Sequence, residues 1–167
     1  MTLAVTTAIA ACSGGGGEEE KNYTVPSALC GIALKPVLLG AFLPGGDSIS
    51  VKPASPNGGT KRCDVIVDGA VTVRQIQTWW STGESASTVA AAYDKMEDGQ
   101  VTDDNRYLYS GTGAVGKTSA SCKSSDHLDQ NMYAVIQVFT PDRSDSDAMK
   151  KLITAYTKEL EDSSRCN

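Results

Sequence analysis

Eight consecutive residues, Gly111-Thr112-Gly113-Ala114-Val115-Gly116-Lys117-Thr118, match the phosphate-binding loop pattern GxxxxGK[ST] letter for letter. In such a loop the backbone amides wrap phosphate, the lysine neutralises it and the threonine hydroxyl meets Mg²⁺. That geometry needs a helix directly after the lysine, inside a parallel βαβ unit. Here the chain continues Ser119-Ala120-Ser121-Cys122-Lys123-Ser124-Ser125, residues of poor helix propensity. The segment therefore reads as a Gly-rich turn between two strands. The single histidine, His127, lies in the polar stretch 124–129 and reads as a solvated loop residue. No serine stands in G-x-S-x-G or S-x-x-K, so the common serine-nucleophile patterns are missing. Asp142, Asp145 and Asp147 are spaced like calcium ligands, but the loop lacks the glycine and closing Glu of an EF-hand. Helix N-capping accounts for them. Trp79-Trp80 is the pair to watch for binding. On adjacent strand positions two indoles point to opposite faces, and an exposed tryptophan often anchors a partner.

Cysteine supplies a second kind of chemistry. Cys12 closes an apolar run, residues 3–11, that ends in Ile9-Ala10-Ala11, and is followed by Ser13, four glycines and Glu18-Glu19-Glu20-Lys21. An apolar stretch ending on small residues is the core and cleavage site of an export signal. Ile9-Ala10-Ala11-Cys12 looks like a bacterial lipobox, in which the thiol is lipidated and becomes the mature N-terminus. The expected layout is a signal over 1–11, a lipidated Cys12 with a solvated tether over 12–22, and one extracytoplasmic domain over 23–167. Before the apolar run stands only Met1-Thr2, with no basic residue. The expectation is that the true start codon lies upstream. Cys30, Cys63, Cys122 and Cys166 then remain, an even number in an exported chain, and predict two disulfides. Of three connectivities, Cys30–Cys63 with Cys122–Cys166 staples neighbouring elements. No pair has CxxC spacing, so a metal site is disfavoured and no cofactor is implied.

A net charge of −5 argues against nucleic acid, whose phosphates call for clustered Lys and Arg. It argues equally against electrostatic attachment to anionic head groups. Membrane contact is expected through the anchor on Cys12 alone, with the domain a monomer.

The elements that position these residues can be read from periodicity and turn signals. Residues 28–34 read as a helix capped by Ser27, and 37–43 as a second helix opened by Pro36. Strands are expected at 49–52, 63–67, 71–76, 106–110, 115–122 and 132–140, with Ser55 to Gly59 a loop. Asp68-Gly69 marks a tight hairpin. The strand 132–140 is apolar on both faces and belongs in the middle of the sheet. A helix over 88–96 would bury Val89, Ala92, Tyr93 and Met96 and stop at Gly99. A last helix over 145–161 carries the stripe Met149, Leu152, Ile153, Tyr156 and Leu160, with Ser144 and Asp147 forming a capping box. Together these predict an α+β domain: an antiparallel β-sheet covered by helices.

With the lipobox, the Gly/acidic tether, Leu29-Cys30-Gly31, Cys63-Asp64-Val65-Ile66-Val67-Asp68-Gly69 and a helix ending near Cys166 in view, the chain resembles the small exported lipoproteins of actinobacteria, many with domains of unknown function. The resemblance implies a lipid-anchored, extracytoplasmic domain with no established activity. The sheet with helical cover is also similar to the PsbP-like architecture of some exported lipoproteins, which would favour protein binding. The leading expectation is a non-enzymatic domain that binds a protein or small ligand. The alternative is a cell-envelope hydrolase using His127 and nearby carboxylates.

Overall fold

The computed structural model describes residues 20–166; Cys12 and the signal and tether expected before residue 20 lie outside them. Among the described residues there are nine strands and three helices. Seven strands form one antiparallel sheet: β3 (Ile49–Asn57), β4 (Thr60–Val67), β5 (Ala70–Ser81), β6 (Gln100–Val101), β7 (Tyr107–Tyr109), β8 (Gly113–Lys117) and β9 (Gln130–Val138), in spatial order β3-β4-β5-β9-β8-β7-β6. Two meanders thus meet where β5 pairs with β9. The strand apolar on both faces, β9, is the fourth of seven, and every residue from Asn131 to Val138 is buried. At one edge, β3 carries Pro53 and Pro56, which edge strands tolerate because no ladder donor is needed on the open side.

The β4–β5 hairpin turns on Asp68 and Gly69 at φ 47° and 84°, the left-handed pair that a two-residue turn of the right twist requires. The Asp68 carboxylate also accepts hydrogen bonds from the Asp47 and Ser48 amides. Those bonds hold its carboxyl below the usual carboxylate range.

Residues 28–34 do not form the expected helix. They make a small hairpin, β1 (Ala28–Leu29) and β2 (Ile32–Ala33), with Cys30 and Gly31 at φ 50° and 81°. Seven residues offer a helix little cooperativity, and tertiary bonds claim the carbonyls a helix would use. The Tyr156 hydroxyl donates to Leu29 O at 3.0 Å, Gln77 Nε2 reaches Cys30 O at 3.4 Å, and Cys30 is bonded to Cys63. The second disulfide joins Cys122 to Cys166. Both pairs are those favoured from sequence.

Helix α1 (Pro36–Gly40) follows, with Pro36 in its first turn. Helix α2 (Ala86–Ala90), capped by Ser85, is shorter than expected. Beyond it the sheet takes the carbonyls: Gln137 Nε2 donates to Asp94 O and Ser110 Oγ to Lys95 O, while Lys95 and Asp98 turn left-handed. Ala92 is exposed, and only Val89, Tyr93 and Met96 of the expected stripe reach the core. Helix α3 (Ser146–Glu161) has Asp145, not Ser144, as its N-cap, accepting from Ala148 N at 2.9 Å.

The sheet has two unequal faces. On one, Val65, Val73, Ala134 and Ile136 join Leu152, Ile153 and Tyr156 of α3 and Leu39 of α1 in the larger core. On the other, Val89 and Ala90 of α2 pack on Ile76, Leu108, Val115 and Val135. There α2 has contacts with β7 and β8 but none of note with β3 or β4. The outward residues Arg62, Asp64 and Arg74 of β4 and β5 are polar accordingly.

Candidate functional site

Trp79 and Trp80 occupy consecutive positions on β5, and strand alternation sends them to opposite faces. Trp79 packs against the larger core and Trp80 against the smaller one, each half-buried. Where the sheet ends beside them a cleft of about 590 Å³ opens. Asn57, Gly59 and Thr60 at the β3–β4 turn supply one wall, Tyr93 a second, and His127 and Gln130 a third. His127 covers Trp79 as a stacked ring, with centroids 4.7 Å apart and planes at 12°. Its Nδ1 lies 2.6 Å from Gln130 Oε1. A carbonyl oxygen only accepts, so Nδ1–H is the donor. The sequence separates His127 from Trp79 by 48 positions; only the β5–β9 pairing, Trp79 opposite Met132, brings the loop before β9 onto the indole.

The cleft is lined by neutral polar groups and rings. Thr60 and Thr78 share a hydrogen bond between hydroxyls at 3.3 Å. Burial pushes the Tyr93 phenol above its usual range, against the opposing effect of hydrogen bonds with Thr78 and Trp80. A second depression, about 350 Å³, shares Asn57, Thr60 and Tyr93 with the first and runs on to Arg62 and Arg74. Asp64 serves both arginines. Arg74 grips it with two bonds, 2.7 and 3.1 Å, and Arg62 Nε stands 3.6 Å away, buried and without a hydrogen bond. The Asp64 hydrogen bonds raise the Arg74 pKa.

The phosphate-loop pattern has a different explanation. Residues 111 and 112 form a turn and β8 begins at Gly113, so no helix follows Lys117. Its glycines are packing positions. Ser144 lies against Gly111 and the Lys95 carbonyl against Gly113, while Thr157 and Ile153 of α3 press onto Gly116. Lys117 Nζ donates to Glu84 O at 2.9 Å and Thr118 Oγ1 to Met132 O at 2.9 Å. Of the spaced acids, Asp145 caps α3, and among the described residues no group of three metal-ligating side chains is assembled.

Tyr93, Thr60 and the Arg62–Asp64–Arg74 group escaped sequence reasoning. The alternation Arg62-Cys63-Asp64-Val65 does carry a signal: charge at every second position marks a face that no helix covers. Comparison with protein-family models, with curated proteins and with solved structures finds no match to this chain.

Proposed function

We propose that this protein is an exported lipoprotein, held to the membrane by lipid on Cys12, whose domain binds a neutral polar ligand without transforming it. The resemblance to actinobacterial lipoproteins motivates the anchor, and two disulfides suit an oxidising compartment. One observation carries the binding reading: two tryptophans, a tyrosine and a histidine converge on one open cleft whose remaining polar groups are uncharged amides and hydroxyls. Such a wall suits a polyhydroxylated ring, as in a sugar of the cell envelope. Its apolar face lies on an aromatic ring and its hydroxyls bond to Asn57, Thr60 and Gln130. The amide partner of His127 favours binding over catalysis, because a glutamine cannot relay a proton or steady an imidazolium as a carboxylate does.

Two measurements test this reading. Replacing Cys12 with serine should move the protein from the membrane to the soluble fraction; an unchanged membrane fraction removes the anchor. Titrating with a neutral N-acetylglucosamine tetramer should change tryptophan emission saturably, and Trp80→Ala should abolish the change. No response to neutral oligosaccharides overturns the binding reading. Cleavage of the tetramer that disappears in His127→Ala would put the hydrolase in its place.

A further inference from the structure

A separate groove shares none of the lining residues of the aromatic cleft. It runs between the β2–α1 corner and the outer flank of α3, with a volume of about 880 Å³. Its floor is carbon: Leu34, Pro36 and Leu38 on one bank and Ala155 on the other. The helix contributes a stripe, Lys151, Ala155 and Lys158, spaced by one and two turns, so these side chains share one flank. Small residues at 154 and 155 keep that flank open, while the reverse side of α3 buries Leu152, Ile153 and Tyr156.

The rim is cationic. Lys35 stands on one bank and Lys150, Lys151 and Lys158 on the other, with Glu159 as the one carboxylate of the lining. All four lysines are exposed; Lys150 Nζ lies 5.3 Å from the centre of the Tyr109 ring, and the ion pairs of the described residues involve Arg62, Arg74 and Arg106. In a chain of net charge −5 this clustering reverses the local field. Lysine stems lie along apolar surface while their ammonium groups stay in water. A carbon-floored groove rimmed by exposed ammonium groups, those of Lys35, Lys151 and Lys158 outside any ion pair of the described residues, is therefore complementary to one chemistry, an alkyl chain ending in an anion. The stretch of α3 from Lys150 to Glu159 runs roughly 13 Å, long enough for an extended chain. The groove is concave and of the size of small-molecule sites, which fits a single molecule better than a flat lipid surface.

We propose that this groove is a binding site for a monomeric long-chain carboxylate. It is independent of the aromatic cleft.

The full chain carrying Cys12→Ser is titrated with dodecanoate below its micelle concentration, with dodecanol as the uncharged match, butyrate as the short acid and phosphatidylglycerol vesicles as the membrane surface. Dodecanoate should bind saturably and at least about tenfold tighter than dodecanol, and butyrate should not bind. The triple variant Lys150→Glu, Lys151→Glu, Lys158→Glu should erase the preference for the acid. Ala155→Trp, on a flank with open space, should block the site, while Trp80→Ala should leave it unaffected. Equal binding of dodecanol, binding to vesicles without binding of the monomer, or full binding by Ala155→Trp would each overturn the proposal. Unfolding curves of each variant show that it is folded; if Ala155→Trp is not, Ala155→Met takes its place with the same expectation.

Discussion

The imidazole of His127 lies flat on the indole of Trp79, with centroids 4.7 Å apart and planes at 12°. The stack seals one wall of the aromatic cleft and shields a tryptophan that β5 leaves half-buried. An aromatic pair of this kind contributes about 0.5–1.5 kcal/mol beyond the area it buries. His127→Ala should lower the unfolding free energy by roughly 1 kcal/mol and shift tryptophan emission to the red. His127→Phe should restore both. A variant that changes neither property would show that the stack contributes nothing in solution.

Gly116 sits where α3 meets β8. A Cβ there would collide with the Thr157 hydroxyl and come within 3.2 Å of Ile153 and Tyr107. Gly116→Ala should therefore destabilise by about 1–3 kcal/mol, the cost of overpacking. Thr157 Oγ1 is buried and has no hydrogen-bond partner, so Thr157→Ala should cost less than about 1 kcal/mol. Combined with Gly116→Ala, it should recover part of the loss. Urea midpoints of the three variants measure this. Additive losses would mean that the two residues do not meet.

Cys30–Cys63 ties the small N-terminal hairpin to β4, and Cys122–Cys166 ties the chain beyond β8 to the end of α3. Their sequence separations, 33 and 44, close long loops of the unfolded chain. Each should contribute about 2–5 kcal/mol. In the Cys12→Ser chain, thiol titration under non-reducing denaturing conditions should find no free thiol, and four after reduction. Replacing Cys122 and Cys166 together by alanine should lower the thermal midpoint markedly and fray α3 from its C-terminal end, as amide exchange would report. Uniform protection along α3 would contradict this.

Two buried phenols make the protein sensitive to alkali. Burial pushes the Tyr133 hydroxyl up to about 12, and the negative charge of Glu84 adds to the shift. Tyr156 is driven above its ordinary value by burial, opposed by the hydrogen bond from Gln77 and the charge of Arg165. In the unfolded chain both lose their protons near pH 10. Between about pH 10 and 12 the unfolded state therefore binds fewer protons than the folded one, and stability falls as pH rises. Urea midpoints should be level at pH 8–9 and decline above about pH 10. Tyr156→Phe should flatten that decline and cost about 1–3 kcal/mol at neutral pH by removing the hydroxyl that accepts from Gln77 Nε2 and donates to Leu29 O. An identical alkaline slope in the variant would rule out Tyr156 as its source.

Local chemistry determined much of this protein from its sequence. Asp68-Gly69 predicts its hairpin because few residue pairs accept two left-handed positions. The apolar stripe of residues 149–160 predicts α3, and a strand apolar on both faces predicts the centre of the sheet. Four cysteines predict both disulfides by proximity along the chain. Each is a short-range pattern with one stable outcome.

Tertiary structure decided the rest. Residues 28–34 became a hairpin because Tyr156, Gln77 and Cys63 lie far away in sequence yet claim their backbone and disulfide partner. Helix α2 gives way after Ala90 to three-residue turns, Ala92 N to Val89 O and Tyr93 N to Ala90 O, before Lys95 turns left-handed. The phosphate-loop letters follow from three close packing contacts at Gly111, Gly113 and Gly116, which no local pattern can distinguish from a nucleotide cradle. The aromatic cleft and the lysine-rimmed groove exist only where strand pairing and helix docking bring distant residues together. Side-chain identity sets what a surface can bind, but the long-range contacts of the sheet decide which side chains share it.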